Sequence, residues 1–302
     1  MHHGRREGLY EGQESQGDRN HRPAGFQDDA YGNDGFAVAQ SAGGRDAANE
    51  IPYAAFSGKS TLIRFVFPEN ITKIGIIAFE GTNLSGSLII PNGVTEIGAS
   101  AFSQCPLNGT LTLSKSLVKI GNGAFTGWSG LSGSLNLPAS VELIDSHAFS
   151  GCTGFTGNLQ LPENIVEIGA VAFGSCSGFT GSLAIPHGIT KIENGSFGYC
   201  SGLNGQLNLP KDLTEIGNSA FSGCNFRGTL LLPENLTVIG DSAFADNLFS
   251  GELKLPQGLA VLGIGVFAYN SRLTGVVELP EDIISVSADL FSNCSQLEGV
   301  VI

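Results

Sequence analysis

The chain has 302 residues, 41% of them hydrophobic and 14% charged, with 43 glycines, 12 prolines and a formal net charge of −13. Fifteen lysines and arginines against 28 acids cannot track a phosphate backbone, which argues against nucleic acid or an anionic membrane as partner. No stretch approaches the roughly eighteen uninterrupted apolar residues of a membrane-spanning helix, and the length allows one or two globular domains.

Taken from the start, residues 1–47 read as a disordered polar tail and residues 48–302 as a folded repeat region. The opening "MHHGRREGLYEGQESQGDRN" is polar and glycine-rich and has no sustained period. It lacks the apolar run of about seven residues that a secretory signal needs. The His2-His3 pair is too short for a metal site. "RDAANEIPYAAF" follows as a degraded half-coil with Ala48 where leucine would stand, the pattern of a worn N-terminal cap.

From there one phenylalanine recurs at Phe56, Phe79, Phe102, Phe125, Phe149, Phe173, Phe197, Phe221, Phe244, Phe267 and Phe291, every step being 23 or 24 residues. The consensus around it is G-x-L-x-L-P-x-x-L-x-x-I-G-x-x-A-F-x-x-C-x-x-L-x-G, complete in "GSLAIPHGITKIENGSFGYCSGLN". L-x-L has period two and predicts a short strand, which proline ends because it cannot donate to a ladder. L-x-x-I-G predicts a second extended arm, and A-F-x-x-C a corner made by a single helical or 3₁₀ turn. One such unit cannot bury its apolar side, but stacked units can, at roughly 4.8 Å per coil. The fold class that follows is a repeat solenoid of about eleven rungs, on the order of 50 Å long at that spacing.

The phrase "LPENLTVIGDSAF" and its siblings resemble the bacterial surface-antigen (BspA-like) class of leucine-rich repeats, over about residues 51–302. The resemblance implies a right-handed leucine-rich-repeat coil with a parallel β-sheet on its concave side. It also implies a bacterial or protist protein of the extracellular space or cell surface, concerned with adhesion and host contact.

All six cysteines, Cys105, Cys152, Cys176, Cys200, Cys224 and Cys294, share one slot of the repeat, which elsewhere holds Thr82, Asn247 and Asn270. A slot that accepts Cys, Asn or Thr needs a small buried group that bonds weakly to backbone, not thiol chemistry. No histidine interleaves on this line and no C-x-x-C pair has zinc-finger spacing, so structural filling by reduced thiols is the expectation. Stacked Cβ vectors run parallel, which disfavours disulfides. Trp128 occupies the same slot and is too large for it. That turn is expected to bulge outward or shift register, with a binding hot spot as the functional alternative.

Other patterns resolve into the repeat. Gly263, Gly265 and Ala268 satisfy G-x-G-x-x-A without a strand–helix context, so no cofactor is expected there. The outward strand positions are small and neutral (Ser87, Thr110, Thr112, Asn136, Asn158, Gln160, Ser182, Gln206, Asn208, Thr229), with acids at Glu252 and Glu278 and Lys254 beside them. Ile89 and Leu231 are the apolar exceptions on that face. His147 and His187 stand alone, as solvated corner residues. No convergent acid pair presents itself, so the expectation is a protein that is not an enzyme, with no catalytic, cofactor-binding or metal residues. The residue before the isoleucine alternates in charge through Lys73, Glu96 and Lys119. After a break at Leu143 it continues through Glu167, Lys191 and Glu215, as a solvated register-holding ladder. Six N-x-S/T sequons, at Asn70, Asn83, Asn108, Asn194, Asn235 and Asn293, arise readily in such a composition, and Asn293 is expected in a partly buried turn.

The chain stops at "LEGVVI", in mid-strand, which leads to the expectation of a fragment or of a next rung supplied by a partner chain through end-to-end self-association. The functional expectation is a non-catalytic scaffold binding protein or glycan, with no nucleic acid and no membrane insertion. A carbohydrate-active parallel β-helix enzyme, or a spacer with no ligand, is the alternative.

Overall fold

The structure is a computed structural model that describes residues 36–38, 49–281, 283 and 286–301. Among the described residues there are short strands and turns and no helix. Each coil contributes three lines of contact with the next.

The first line runs through the repeat's isoleucine. Glu50–Ile51, Lys73–Ile74, Glu96–Ile97, Lys119–Ile120, Leu143–Ile144 and Glu167–Ile168 form a six-stranded parallel sheet in chain order. Lys191–Ile192, Glu215–Ile216, Val238–Ile239 and Val261–Leu262 form a further four-stranded one. In every pair the isoleucine, or Leu262 in its place, lies opposite its counterpart, as in Ile97↔Ile120 and Ile216↔Ile239. The glycine after the isoleucine is a point of close approach between coils. A Cβ on Gly169 would lie 2.4 Å from the backbone nitrogen of Ser146. The sheet is interrupted between Ile168 and Ile192, at the coil where Glu193 takes the glycine's place. Asp145 occupies the same place in an uninterrupted coil, so bulk there does not by itself part the ladder.

The second line is L-x-L. Leu88–Ile89 pairs with Leu111–Thr112, and Leu183–Ala184 with Leu207–Asn208. Toward the end of the chain the pairing shifts to the stretch leading into L-x-L, where Arg227–Gly228, Leu248–Glu252, Arg272–Glu278 and Leu297–Val301 form a parallel sheet. Arg64–Val66 pairs in parallel with Phe36–Val38, the only described part of the segment 1–47. Ala48 and Ile302 lie outside the described residues.

The A-F segment differs from the expected helical or 3₁₀ turn. Backbone bonds typical of tight turns are present, such as Ala101 N–H to Gly98 O at 3.3 Å and Ser103 N–H to Ser100 O at 3.1 Å. Yet the residues two before and two after the phenylalanine adopt left-handed φ, for example Ser100 at 51° and Gln104 at 59°. That alternation keeps the segment from winding into a helix, and the Phe N–H and the N–H groups of these two residues reach the next coil instead. Phe79 donates to Ala101 O at 2.8 Å and Phe102 to Ala124 O at 3.1 Å, and the pattern continues along the rod.

Inside, the eleven phenylalanines form one uninterrupted stack from Phe56 to Phe291. Neighbouring centroids are 5.1–5.8 Å apart and ring planes lie within 15° of each other. A second pair of ring stacks, Phe155 on Phe179 and Phe226 on Phe249, meets this column edge-on. The core is therefore a set of files parallel to the rod, and each file is a column of the repeat.

Candidate functional site

The cysteine slot is the most constrained polar feature of the interior. Each thiol donates to the carbonyl of the phenylalanine one coil earlier. The distances are 3.1 Å for Cys152 to Phe125 O, 3.0 Å for Cys176 to Phe149 O, 3.0 Å for Cys200 to Phe173 O and 3.0 Å for Cys224 to Phe197 O. Cys105 and Cys294 do the same toward Phe79 and Phe267, both at 3.1 Å. Asn247 and Asn270 reach Phe221 O and Phe244 O through Nδ2, at 2.8 and 2.9 Å. The slot thus selects a hydrogen-bond donor for the second lone pair of a buried carbonyl; most of these carbonyls already accept a backbone N–H of their own coil, as Phe149 O does from Cys152 at 3.1 Å.

Trp128 corrects the expectation of a bulge. Its side chain is buried, and its indole Nε1–H donates to Phe102 O at 3.0 Å, as a thiol would. The ring packs edge-on against Phe102 and Phe125 at 6.1 and 5.1 Å, so the extra volume is taken up within the aromatic column. A buried tryptophan offers no surface to a ligand.

Burial sets the thiol chemistry. It pushes Cys152 and Cys200 up to about 12, and holds Cys176 and Cys224 well above the ordinary thiol range. The thiolate is the nucleophile and metal ligand, and this environment suppresses it. These four cysteines are expected to resist a sulfhydryl reagent at pH 8 until the chain is unfolded; rapid modification of the native protein would contradict the ladder. The linkage has a definite sign. The folded thiol keeps its proton above the unfolded value of 9.0 for Cys152 and Cys200. Their stabilisation is complete below that pH and is lost progressively as pH rises toward about 12.

At the surface, the charge ladder forms in part. Lys73 Nζ meets Glu96 Oε2 at 3.0 Å, and Lys191 Nζ meets Glu215 Oε1 at 3.3 Å and Glu193 Oε1 at 3.2 Å. Hydrogen bonds to these carboxylates raise both lysines, Lys73 through Glu96 and Lys191 through Glu193 first. Glu167 and Lys191 fall on opposite sides of the sheet interruption and do not pair as strands. The exposed pairs hold register and add little energy. His147 is exposed, and His187 Nδ1 lies 2.9 Å from Glu163 Oε2 with both side chains largely in solvent. All six sequon asparagines are exposed, Asn293 included, against the expectation of partial burial.

The outward strand positions named above are exposed, and Ile89 and Leu231 stand out on them at 66% and 67% exposure. Among the described residues no group of three or more His, Cys, Asp or Glu side chains is placed to hold a metal ion. One cleft of about 320 Å³ opens between Arg64–Val66 and Leu84–Leu88, where the first L-x-L strand pairs with Phe36–Val38 and not with the coil that follows it. Phe65 and Phe67 fill the two leucine positions there and pack on Phe79 at 4.7 and 5.7 Å.

Comparison with known proteins places these features. The family model for a BspA type leucine rich repeat region matches in six copies, over residues 49–180, 132–247 and 172–298. A leucine rich cell surface protein of Faecalibacterium prausnitzii is 23% identical, with 88% of this chain and 78% of that one covered and a TM-score of 0.51. A leucine-rich repeat protein from Bacteroides ovatus is 21% identical over 84% of this chain and 76% of that one, with a TM-score of 0.46. The pneumococcal vaccine antigen PcpA is 22% identical over 88% of this chain and 65% of that one, with a TM-score of 0.49. The Faecalibacterium protein shares the fold. No curated protein matches this chain.

Proposed function

Because the chain belongs to the BspA-type leucine-rich repeat family, its coils being repeats of that kind, we propose that it is a non-catalytic interaction scaffold of the cell surface that binds protein or glycan along its rod. The observation that carries this reading is where the chemistry-bearing groups lie. The thiols, the amides of Asn247 and Asn270 and the single tryptophan are consumed inside by backbone carbonyls. What faces solvent is a regular lattice of short polar side chains with charged, aromatic and apolar ones set among them, which suits recognition over an extended area. The Faecalibacterium protein of like fold is itself a cell surface protein, which supports the location.

A carbohydrate-active enzyme would need two carboxyl groups converging on one bond, one of them with a raised pKa. Glu252 and Glu278 lie one coil apart on the strand face, both exposed. The test is an array of immobilised glycans and proteins probed with the full chain, followed by mass spectrometry of each captured ligand. Saturable binding with the ligand recovered intact is the expected result. A ligand recovered cleaved, or no saturable binding across the array, would overturn the proposal.

A further inference from the structure

The described residues hold three tyrosines, Tyr53, Tyr199 and Tyr269, and all three are exposed, at 68%, 61% and 59%. All lie in the turn segment between the repeat's isoleucine and the second residue past its phenylalanine. Tyr199 and Tyr269 occupy that last position, with φ of 60° and 63°. Other coils place Gly58, Gly81, Gly127, Gly151 or Gly223 there, which matches the left-handed backbone. Gln104, Ser175, Asp246 and Asn293 hold the position in the remaining coils, so the left-handed φ belongs to the turn; what sets the two tyrosines apart is a large aromatic ring kept mostly in solvent at a place where glycine or a small polar residue otherwise stands.

The two rings share one file. Tyr199 N–H donates to Ser222 O at 2.6 Å, Gly223 N–H to Ala245 O at 2.9 Å, and Asp246 N–H to Ala268 O at 2.9 Å. Tyr199, Gly223, Asp246 and Tyr269 therefore stand on four consecutive coils, and at the 5.6–5.8 Å per coil of the adjacent phenylalanine column three steps place the two tyrosine positions about 17 Å apart. Tyr199 leans along the file, since a Cβ on Gly223 would meet its Cδ1 at 2.9 Å. Glycine at 223 is what lets the ring lie over the neighbouring coil.

Charge identifies the occupant. In all eleven coils this segment contains no lysine or arginine, while it carries Glu80, Asp145, Glu193, Asp241, Asp246 and Asp289. The cations of the folded region are all outside it. Asp246, exposed, sits directly between Gly223 and Tyr269. We propose that this file docks an extended, arginine- or lysine-bearing segment of another protein, a reading that rests on the scaffold function above. Ring faces attract guanidinium and ammonium groups, and Asp246 supplies the counter-charge between them. The geometry also suits an extended chain along the rod: four residues span about 13.6 Å and return to the same face, and the lean of Tyr199 over Gly223 together with the length of arginine or lysine side chains at i and i+4 covers the remaining distance to both rings.

The test uses the full chain and a fluorescent peptide bearing two arginines four residues apart among serines and glycines, followed by anisotropy. The expected result is saturable binding at low salt that weakens at high salt. The double variant Tyr199→Gly/Tyr269→Gly should weaken binding by about tenfold and Asp246→Asn by several-fold. The double variant adopts the residue that other coils use, so its urea midpoint should not fall. No binding at millimolar peptide, equal binding by the double variant, or equal binding of a glutamate peptide would overturn the proposal. So would tyrosine-dependent binding of an uncharged oligosaccharide. If the array above yields an intact ligand while the arginine peptide does not bind, this site fails and the scaffold reading stands.

Discussion

Replacing Phe197 by alanine should lower the unfolding free energy by about 3–5 kcal/mol, the range for truncating a fully buried phenylalanine. Phe197 is 0% exposed and stacks on Phe173 and Phe221 at 5.5 and 5.6 Å. Its loss opens a gap in two coil-to-coil interfaces at once. In a rod whose stability is a sum of neighbouring interfaces, a mid-rod position carries twice the exposure to such a change. Phe291 provides the control. It is only partly buried and stacks on Phe267 alone, at 5.5 Å, among the described residues. Phe291→Ala should cost about half as much, and urea titration followed by far-ultraviolet dichroism measures both. Equal losses at the two positions would show that the coils are not coupled through this column.

The second large effect belongs to the carbonyl-capping slot, where losing the donor and keeping it should differ sharply in cost. Asn247 is fully engaged: Nδ2 donates to Phe221 O, Phe244 O and Ala245 O, and Oδ1 accepts from Phe226 N–H at 3.0 Å. Asn247→Leu removes the partners of Phe221 O and the Phe226 N–H, while Phe244 O and Ala245 O keep Asn270 and the Gly223 N–H, and should cost about 3 kcal/mol, at about 1–3 kcal/mol for each orphaned group. Asn270 makes the same kind of donations, to Phe244 O, Phe267 O and Ala268 O, but its buried Oδ1 has no partner. Asn270→Cys retains a donor toward Phe244 O and removes the idle acceptor. It should be neutral or stabilising by up to about 1 kcal/mol. Thermal unfolding of the two variants side by side decides the matter; a Cys variant at 270 that is destabilised as much as Leu at 247 would refute the capping account.

How much of this the bare sequence contained follows from the physics of repetition. A phenylalanine every 23 or 24 residues, with proline, isoleucine–glycine and leucine in register, admits one economical packing. Each unit exposes an apolar side that only an identical neighbour covers, so the coil stack, its files and the burial of the cysteine column were legible before any coordinates. The family resemblance rested on the same residues, and the match over residues 49–298 agrees with it.

What the sequence could not decide are contacts whose second partner is a backbone atom on the adjacent coil. Trp128 looked too large because side-chain volume can be read from a letter, whereas the carbonyl of Phe102, 26 residues earlier, cannot. The left-handed residues on either side of A-F, the interruption after Ile168 and the pairing of Phe36–Val38 with Arg64–Val66 belong to the same class. So does the alignment of Tyr199, Asp246 and Tyr269. A column of the repeat names which residues are neighbours; only the turn geometry settles that these side chains stand outward while the phenylalanines between them point in. Periodic burial is encoded in composition and spacing, but the direction of each backbone N–H and C=O depends on φ and ψ, which these side chains bias only weakly.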